Sequence, residues 1–300
     1  LKDNPMDLLI STGPPHSMHL IALGLKRSVG TKWIADFRDP WTNIDFYKEL
    51  MLSDRADRKH KRLEQAVLKN ADLSLTIGYT MTQEMKALGA DRVQTLTNGF
   101  DADDFKDRNI NANVDTKFSI THIGSFTPSR NHVGFWKALE ELKMENQSFA
   151  QKLKIRTVGV VDHKVRSSIN EFGLNENWEE IPYVPHDQVL NYQRSSRVLL
   201  VSINNTPNAT GILPGKFFEY LASGRPILAI GPAKSDIGKV LNQTKAGIIV
   251  EPEDVQGMKE ALLQLFKDEA DFKPDQEAIK KFTRRGLTQE LVNVMSSIMK

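Results

Sequence analysis

Cysteine is missing from this 300-residue chain. That excludes disulfides, thiolate metal sites and cysteine nucleophiles together, and is compatible with a reducing cytosol. Long apolar runs are missing too. The longest resemble Arg197–Ile203 and Pro226–Ile230, far below the ~20 residues that span a bilayer. The sequence carries no signal-peptide pattern. An excess of one charge is also lacking: 40 Lys and Arg face 38 Asp and Glu, a net charge of +2. Nucleic acid is therefore not expected as a partner. The HExxH, P-loop and GxGxxG patterns are absent, and the seven histidines form no cluster, so no zinc site is expected. His16 and His19 lie three apart on an expected helix, with no carboxylate nearby in sequence.

What is present is ordinary globular composition, 40% hydrophobic and 26% charged with 18 Gly and 13 Pro. At ~150 residues per domain the length predicts two domains. Short apolar runs alternate with helical segments throughout. Strands are expected at Asp7–Ser11, Lys32–Phe37, Leu73–Ile77 and Val93–Thr97. A second series is expected at Phe118–Ile123, Leu153–Val158, Glu180–Tyr183, Val198–Ser202, Pro226–Ile230 and Gly247–Val250. Helices fill the gaps, and the chain is expected to be helical from Pro274 onward. The polar stretch 101–116 reads as the interdomain linker. Such alternation predicts α/β architecture: two doubly wound domains with parallel sheets. Ligands of such sheets bind at the carboxyl ends of the strands.

Three groups of loops could carry chemistry. Gly124, Ser125 and Arg130 follow the first strand of the second series. The glycine admits close backbone approach, the following helix offers N–H groups to an anion, and Arg130 offers a forked donor; a plain turn with a solvated arginine is the bland alternative. The second is the long loop from Asn204 into a helix opened near Pro214. Lys216 sits in its first turn, where the helix dipole disfavours a cation unless an anion binds nearby. Glu219 is one turn on. The two could form a surface pair, or serve a phosphate and a ribose, as a nucleotide site requires. The third group is Thr12–His16, Asp36–Trp41 and Asn98–Asp101 in the first domain. Its loops should gather on one edge. There His16 could be a helix cap and Arg38–Asp39 an ion pair. The basic run Arg55–Arg62 reads as a solvated helix face, with anionic lipid headgroups as the sharper alternative.

Taken together, these residues resemble retaining GT-B glycosyltransferases of family 4. Residues Leu213–Ile227 look like the donor-site helix of a bacterial branch carrying Pro-x-Lys-x-x-Glu-Tyr-Leu-Ala-x-Gly-x-Pro. Thr97–Asp101 matches an Asn-Gly-hydrophobic-Asp turn, Gly124 with Arg130 matches a diphosphate loop, and Arg38–Trp41 is similar to an Arg-Asp-x-Trp segment. The resemblance implies a GT-B-like fold: a partial acceptor-side domain at 1–110, a nucleotide-sugar donor domain at 111–285, and a helix at 286–300 able to pack back on the first domain. Further strands and a glycine-rich loop are expected before Asp7, leaving the first domain incomplete.

The same resemblance implies a retaining, metal-independent hexosyltransferase of bacterial surface polysaccharide or related glycan biosynthesis. It would use no cofactor beyond its nucleoside-diphosphate-sugar donor, whether UDP or GDP. The acceptor would be a glycan or a lipid-linked glycan, with the enzyme cytoplasmic and in peripheral contact with the inner membrane face. Arg130, Lys216, His16 and Asp39 would serve catalysis. Gly124, Ser125, Arg130, Tyr183, Gly215, Lys216 and Glu219 would bind the donor: Arg130 and Lys216 the diphosphate, Glu219 the ribose, Tyr183 the base. The chain departs from the pattern at Gly211, Ser125 and Thr12, where many members carry Glu, Arg and His. A sugar-nucleotide epimerase and a non-catalytic binding protein of the same fold are the alternatives.

Overall fold

The computed structural model describes residues 5–105, 113–267 and 272–299; part of the linker expected at 101–116 lies outside them. Backbone contacts divide the chain into two compact units. One joins Leu1–Asn98 with Arg284–Lys300, and the other is Gly99–Thr283.

In the first unit, β1 (Leu8–Gly13), β2 (Lys32–Phe37), β3 (Leu73–Thr76) and β4 (Val93–Thr95) form a parallel sheet in that order. Successive side chains of a strand point to opposite faces, and β2 shows the consequence. Trp33, Ala35 and Phe37 pack with Trp41, Val67, Leu68, Met81 and Met85 on one face. Ile34 faces the other way with Leu73 and Leu75, and the helix Arg284–Met299 covers them through Leu291, Val294, Met295 and Ile298. The helix Asp54–Asn70 is opened by the Ser53 side chain, which accepts from the Ala56 N–H. Its first turn is acidic and its last turn basic, matching the helix dipole.

In the second unit, β5 (Phe118–Ile123), β6 (Leu153–Val158), β7 (Trp178–Ile181), β8 (Val198–Ser202), β9 (Ile227–Ile230) and β10 (Gly247–Val250) are also parallel. Their order is β10-β9-β8-β5-β6-β7. Strands β5, β8 and β9 are buried along their length, as expected of a sheet covered on both faces. The chain direction across the sheet reverses between β5 and β8, and ligands of open parallel sheets bind at such a switch point.

Three expectations are corrected. The strand expected at Glu180–Tyr183 runs from Trp178 to Ile181; Pro182 cannot donate to a ladder, and the Trp178 indole is drawn in by a 3.0 Å bond to Thr157. The chain after Pro274 is not one helix. It forms Gln276–Lys280 and Arg284–Met299, separated where Phe282 turns inward and Thr283 pairs with Phe100. An unexpected short helix, Gln147–Lys152, is capped by Asn146.

Candidate functional site

The second unit's site is built at the ends of β5 and β8. The chain leaves β5 through Gly124, whose φ of +97° favours glycine. The loop after β6 presses against it: a Cβ on Gly159 would fall 2.9 Å from the Gly124 carbonyl oxygen. The β8 loop is tied to the same turn. Ser202 Oγ donates to the Arg130 carbonyl at 2.5 Å, and the Asn205 N–H donates to the Ser129 carbonyl at 2.7 Å. Arg130 is aimed by both loops, donating from Nε to Asn204 Oδ1 at 2.6 Å and from a terminal nitrogen to the Ser125 carbonyl at 2.9 Å.

The helix Gly215–Ser223 starts beside this turn. Its cap position is Pro214, no side chain caps it, and its first turn holds no acid. The Phe217 N–H turns back to the Pro214 carbonyl at 3.0 Å, and the N–H groups of Gly215 and Lys216 before it face the end where an anion would bind. Lys216 reaches back to β5, donating to the Ile123 carbonyl at 2.8 Å and lying 3.3 Å from His122 Nε2. Burial, with the Arg130 charge second, pushes the Lys216 ammonium down to about 7. His122 is 1% exposed and packs against Phe126, the ring centroids 4.2 Å apart and the planes tilted by 31°. Burial, then Lys216, holds its imidazole well below the ordinary range. Tyr220 locks the helix to the strand by accepting from the Ile123 N–H at 3.1 Å.

Glu219 does not pair with Lys216. Its Oε2 accepts from Gln193 Nε2 at 3.0 Å, and Gln193 is fully buried with its own Oε1 unpartnered. A buried amide with a single polar partner fixes the carboxylate's position. Gly124, Ser125, Arg130, Gly215 and Lys216 thus meet around the carboxyl end of β5, with Glu219 one turn along the helix. Tyr183 does not join them. It is 82% exposed, on the loop after β7, and β6 lies between β7 and β5.

In the first unit, the loops after β1 and β2 meet at one sheet edge. The Arg38 N–H donates to the Gly13 carbonyl at 3.0 Å, and the Arg38 guanidinium donates to Asn98 Oδ1 at 2.8 Å. His16 occupies the helix-cap position without capping by its side chain. Its ring stacks on Trp41 at 5.0 Å, with Phe37 and His19 each at 5.8 Å. Burial lowers the His16 pKa. His19 is fully buried, bonded to Ser11 Oγ at 2.8 Å, and pushed down to about 4 by burial and by His16. Burial raises the Asp39 pKa, and Arg38 partly offsets this.

Sequence reasoning missed His122, Asn204, Gln193 and Tyr220 as parts of the site. His122 had a usable signal: it is the titratable residue of a strand otherwise made of apolar and small hydroxyl side chains, two positions before the loop glycine. The others become neighbours only through the sheet order.

Two parallel-sheet α/β units, with cationic and glycine-containing loops at the switch point, define a GT-B-like protein. Residues 103–286 match the family described as "Glycosyl transferases group 1". The match spans more than half of the chain, and the protein belongs to this family of glycosyltransferases. Solved structures agree on the fold. Sucrose-phosphate synthase from Thermosynechococcus elongatus superposes with a TM-score of 0.71 at 14% identity, over 97% of this chain and 73% of that one. An α,α-trehalose-phosphate synthase (UDP-forming) from Burkholderia vietnamiensis gives 0.70 at 10% identity, over 98% and 75%. A TarM mutant from S. aureus, in complex with fondaparinux, α-GlcNAc-glycerol and UDP, gives 0.63 at 12% identity, over 98% and 55%. No curated protein matches in sequence.

Proposed function

We propose that this glycosyltransferase moves a hexose-type sugar from a nucleoside-diphosphate sugar to a glycan or lipid-linked acceptor, with retention and without a metal ion. The observation that supports this best is the convergence of Arg130 and Lys216 beside Gly124 and the uncapped helix start at Gly215. When the bond from the anomeric carbon to the diphosphate breaks, negative charge builds on the departing oxygens. Fixed cations and N–H groups at that point lower the barrier electrostatically, and they supply the charge a divalent metal would otherwise bring. Glu219, held by Gln193, takes the ribose hydroxyls. The Tyr183 loop lies on the base side, and Ser125 offers backbone to the phosphates. His16 and Asp39 contact the acceptor in the first unit, and no protein nucleophile is assigned.

We place this reaction in bacterial surface polysaccharide or related glycan biosynthesis, at the cytoplasmic face of the membrane. Among the described residues no helix is long and apolar enough to cross a membrane, so contact with a lipid-linked acceptor would be peripheral.

The test is turnover of UDP-, GDP- and ADP-sugars with glycan and lipid-linked acceptors, with the product's anomeric configuration read by NMR. Acceptor-dependent product with the donor's configuration is expected. An inverted product contradicts retention, and an epimerised donor without acceptor contradicts transfer.

A further inference from the structure

We propose that Lys216 binds the diphosphate in a proton-coupled step: uncharged between His122 and Arg130 before the anion arrives, it takes one proton from solvent as the anion binds. This rests on the donor-site reading above and adds a mechanism to it.

The geometry around Nζ favours the amine. An uncharged lysine has two N–H bonds, and its two neighbours are both neutral: the Ile123 carbonyl, which accepts at 2.8 Å, and His122 Nε2 at 3.3 Å. His122 is buried against Phe126 and its imidazole is held well below the ordinary range, so it stands as a neutral ring and cannot supply counter-charge; its Nε2 lies 3.3 Å from Lys216 Nζ and 3.5 Å from the Ser125 carbonyl. The groups facing Lys216 are His122 from β5 and Arg130 from the turn after it. Arg130 is positive and cannot turn away easily, because Asn204 and Ser125 hold it. The nearest acid in sequence, Glu219, is tied to Gln193 instead. Among the described residues, no carboxylate pairs with Lys216.

A diphosphate reverses this balance. It gives the third N–H of an ammonium an acceptor and outweighs the Arg130 charge. The amine then gains one proton from the buffer. The nucleotide supplies none, since a terminal phosphate ionises near about pH 6 and is fully ionised at about pH 8. The sign follows. Ligand-free Lys216 titrates at about 7 and the bound form higher. Binding therefore takes up a proton above that value, and affinity falls by up to about tenfold per pH unit as the pH rises through the window.

Calorimetric titration with UDP, GDP and ADP at about pH 8, in Tris and in HEPES, reads proton uptake from the difference in heat. About one proton per nucleotide is expected. Lys216→Arg, which keeps a permanent cation, should bind with no uptake. Binding with the same observed heat in both buffers, or uptake that persists in Lys216→Arg, overturns the coupling while leaving the nucleotide site standing. Failure of every nucleotide to bind overturns the donor-site reading itself, and the coupling with it. A ligand-free check uses 13C NMR of the lysine side chains, with Lys216 assigned from the Lys216→Arg spectrum. A midpoint near 7 is expected, and one near the ordinary value of 10.5 overturns the proposal.

Discussion

At the carboxyl end of β5, Arg130 and Lys216 stand beside a helix start with no acidic side chain. At the carboxyl ends of β1 and β2, the corresponding polar groups are His16 and His19, packed against Phe37 and Trp41. Both places are strand-end loops of parallel sheets, yet they handle charge in opposite ways. In the second unit, Arg130 stands beside Lys216, and its charge together with burial disfavours the ammonium until an anion arrives. In the first unit, burial keeps both imidazoles neutral. The fold offers the same edge twice: the side chains make one a receptor for negative charge, while the other sets the opposite charges of Arg38 and Asp39 beside buried imidazoles.

This contrast can be broken most sharply at the cations. Arg130→Ala and Lys216→Met should each weaken diphosphate binding by roughly ten- to hundredfold, since a charge-assisted contact is worth about 1.5–3 kcal/mol. The matching nucleoside should be nearly unaffected. Equal losses for nucleoside and diphosphate would remove the charge-receiving role.

A second test belongs to the first unit. Ser11 Oγ serves both His19 Nδ1 and the Trp33 indole N–H, at 2.8 and 2.9 Å. Ser11→Ala strands both groups in the core and should cost about 1–3 kcal/mol of stability, read by urea denaturation, with nucleotide affinity unchanged in the folded protein. A change in nucleotide affinity would show that the two regions are not independent.

The ribose assignment predicts a smaller effect. Glu219→Ala should weaken nucleotide binding about fivefold, roughly 1 kcal/mol, as one hydrogen-bonding partner is lost. The preference for ribose over 2′-deoxyribose nucleotides should go with it. A variant that still prefers ribose would end that assignment.

The smallest effect is the pH response of the first unit. His19 is depressed from 6.5 to about 4 in the fold, so the unfolded chain binds the proton more readily. Its contribution to stability is full above 6.5 and is lost as the pH falls toward 4. Between about pH 7 and about pH 6 the loss should be only about 0.7 kcal/mol. Denaturation at the two pH values checks this, and a gain in stability on acidification would contradict it.

Much of the fold was legible because the strands are short apolar runs bounded by glycine, proline or Asx residues. Lys32–Phe37, Phe118–Ile123, Leu153–Val158, Val198–Ser202 and Gly247–Val250 read directly from the chain. Strand β7 did not, because Trp178 carries its burial and Pro182 ends it, and neither fits the run Glu180–Tyr183. Arg130, Lys216 and Glu219 were legible as site candidates from their loops and from the family resemblance. Their supporting partners were not. Asn204 lies 74 residues from Arg130, His122 94 residues from Lys216, and Gln193 26 residues from Glu219. Only the placement of β5 beside β8, and the packing of the intervening helices, brings these pairs together.

The central claim is that the loops after β5 and β8 receive a diphosphate. The most direct measurement titrates the protein with UDP, GDP and ADP alongside uridine, guanosine and adenosine. One diphosphate should bind, with its nucleoside at least about tenfold weaker, as expected for losing charge-assisted contacts. A nucleoside that binds as tightly as its diphosphate, or no binding by any of the six, would contradict the account.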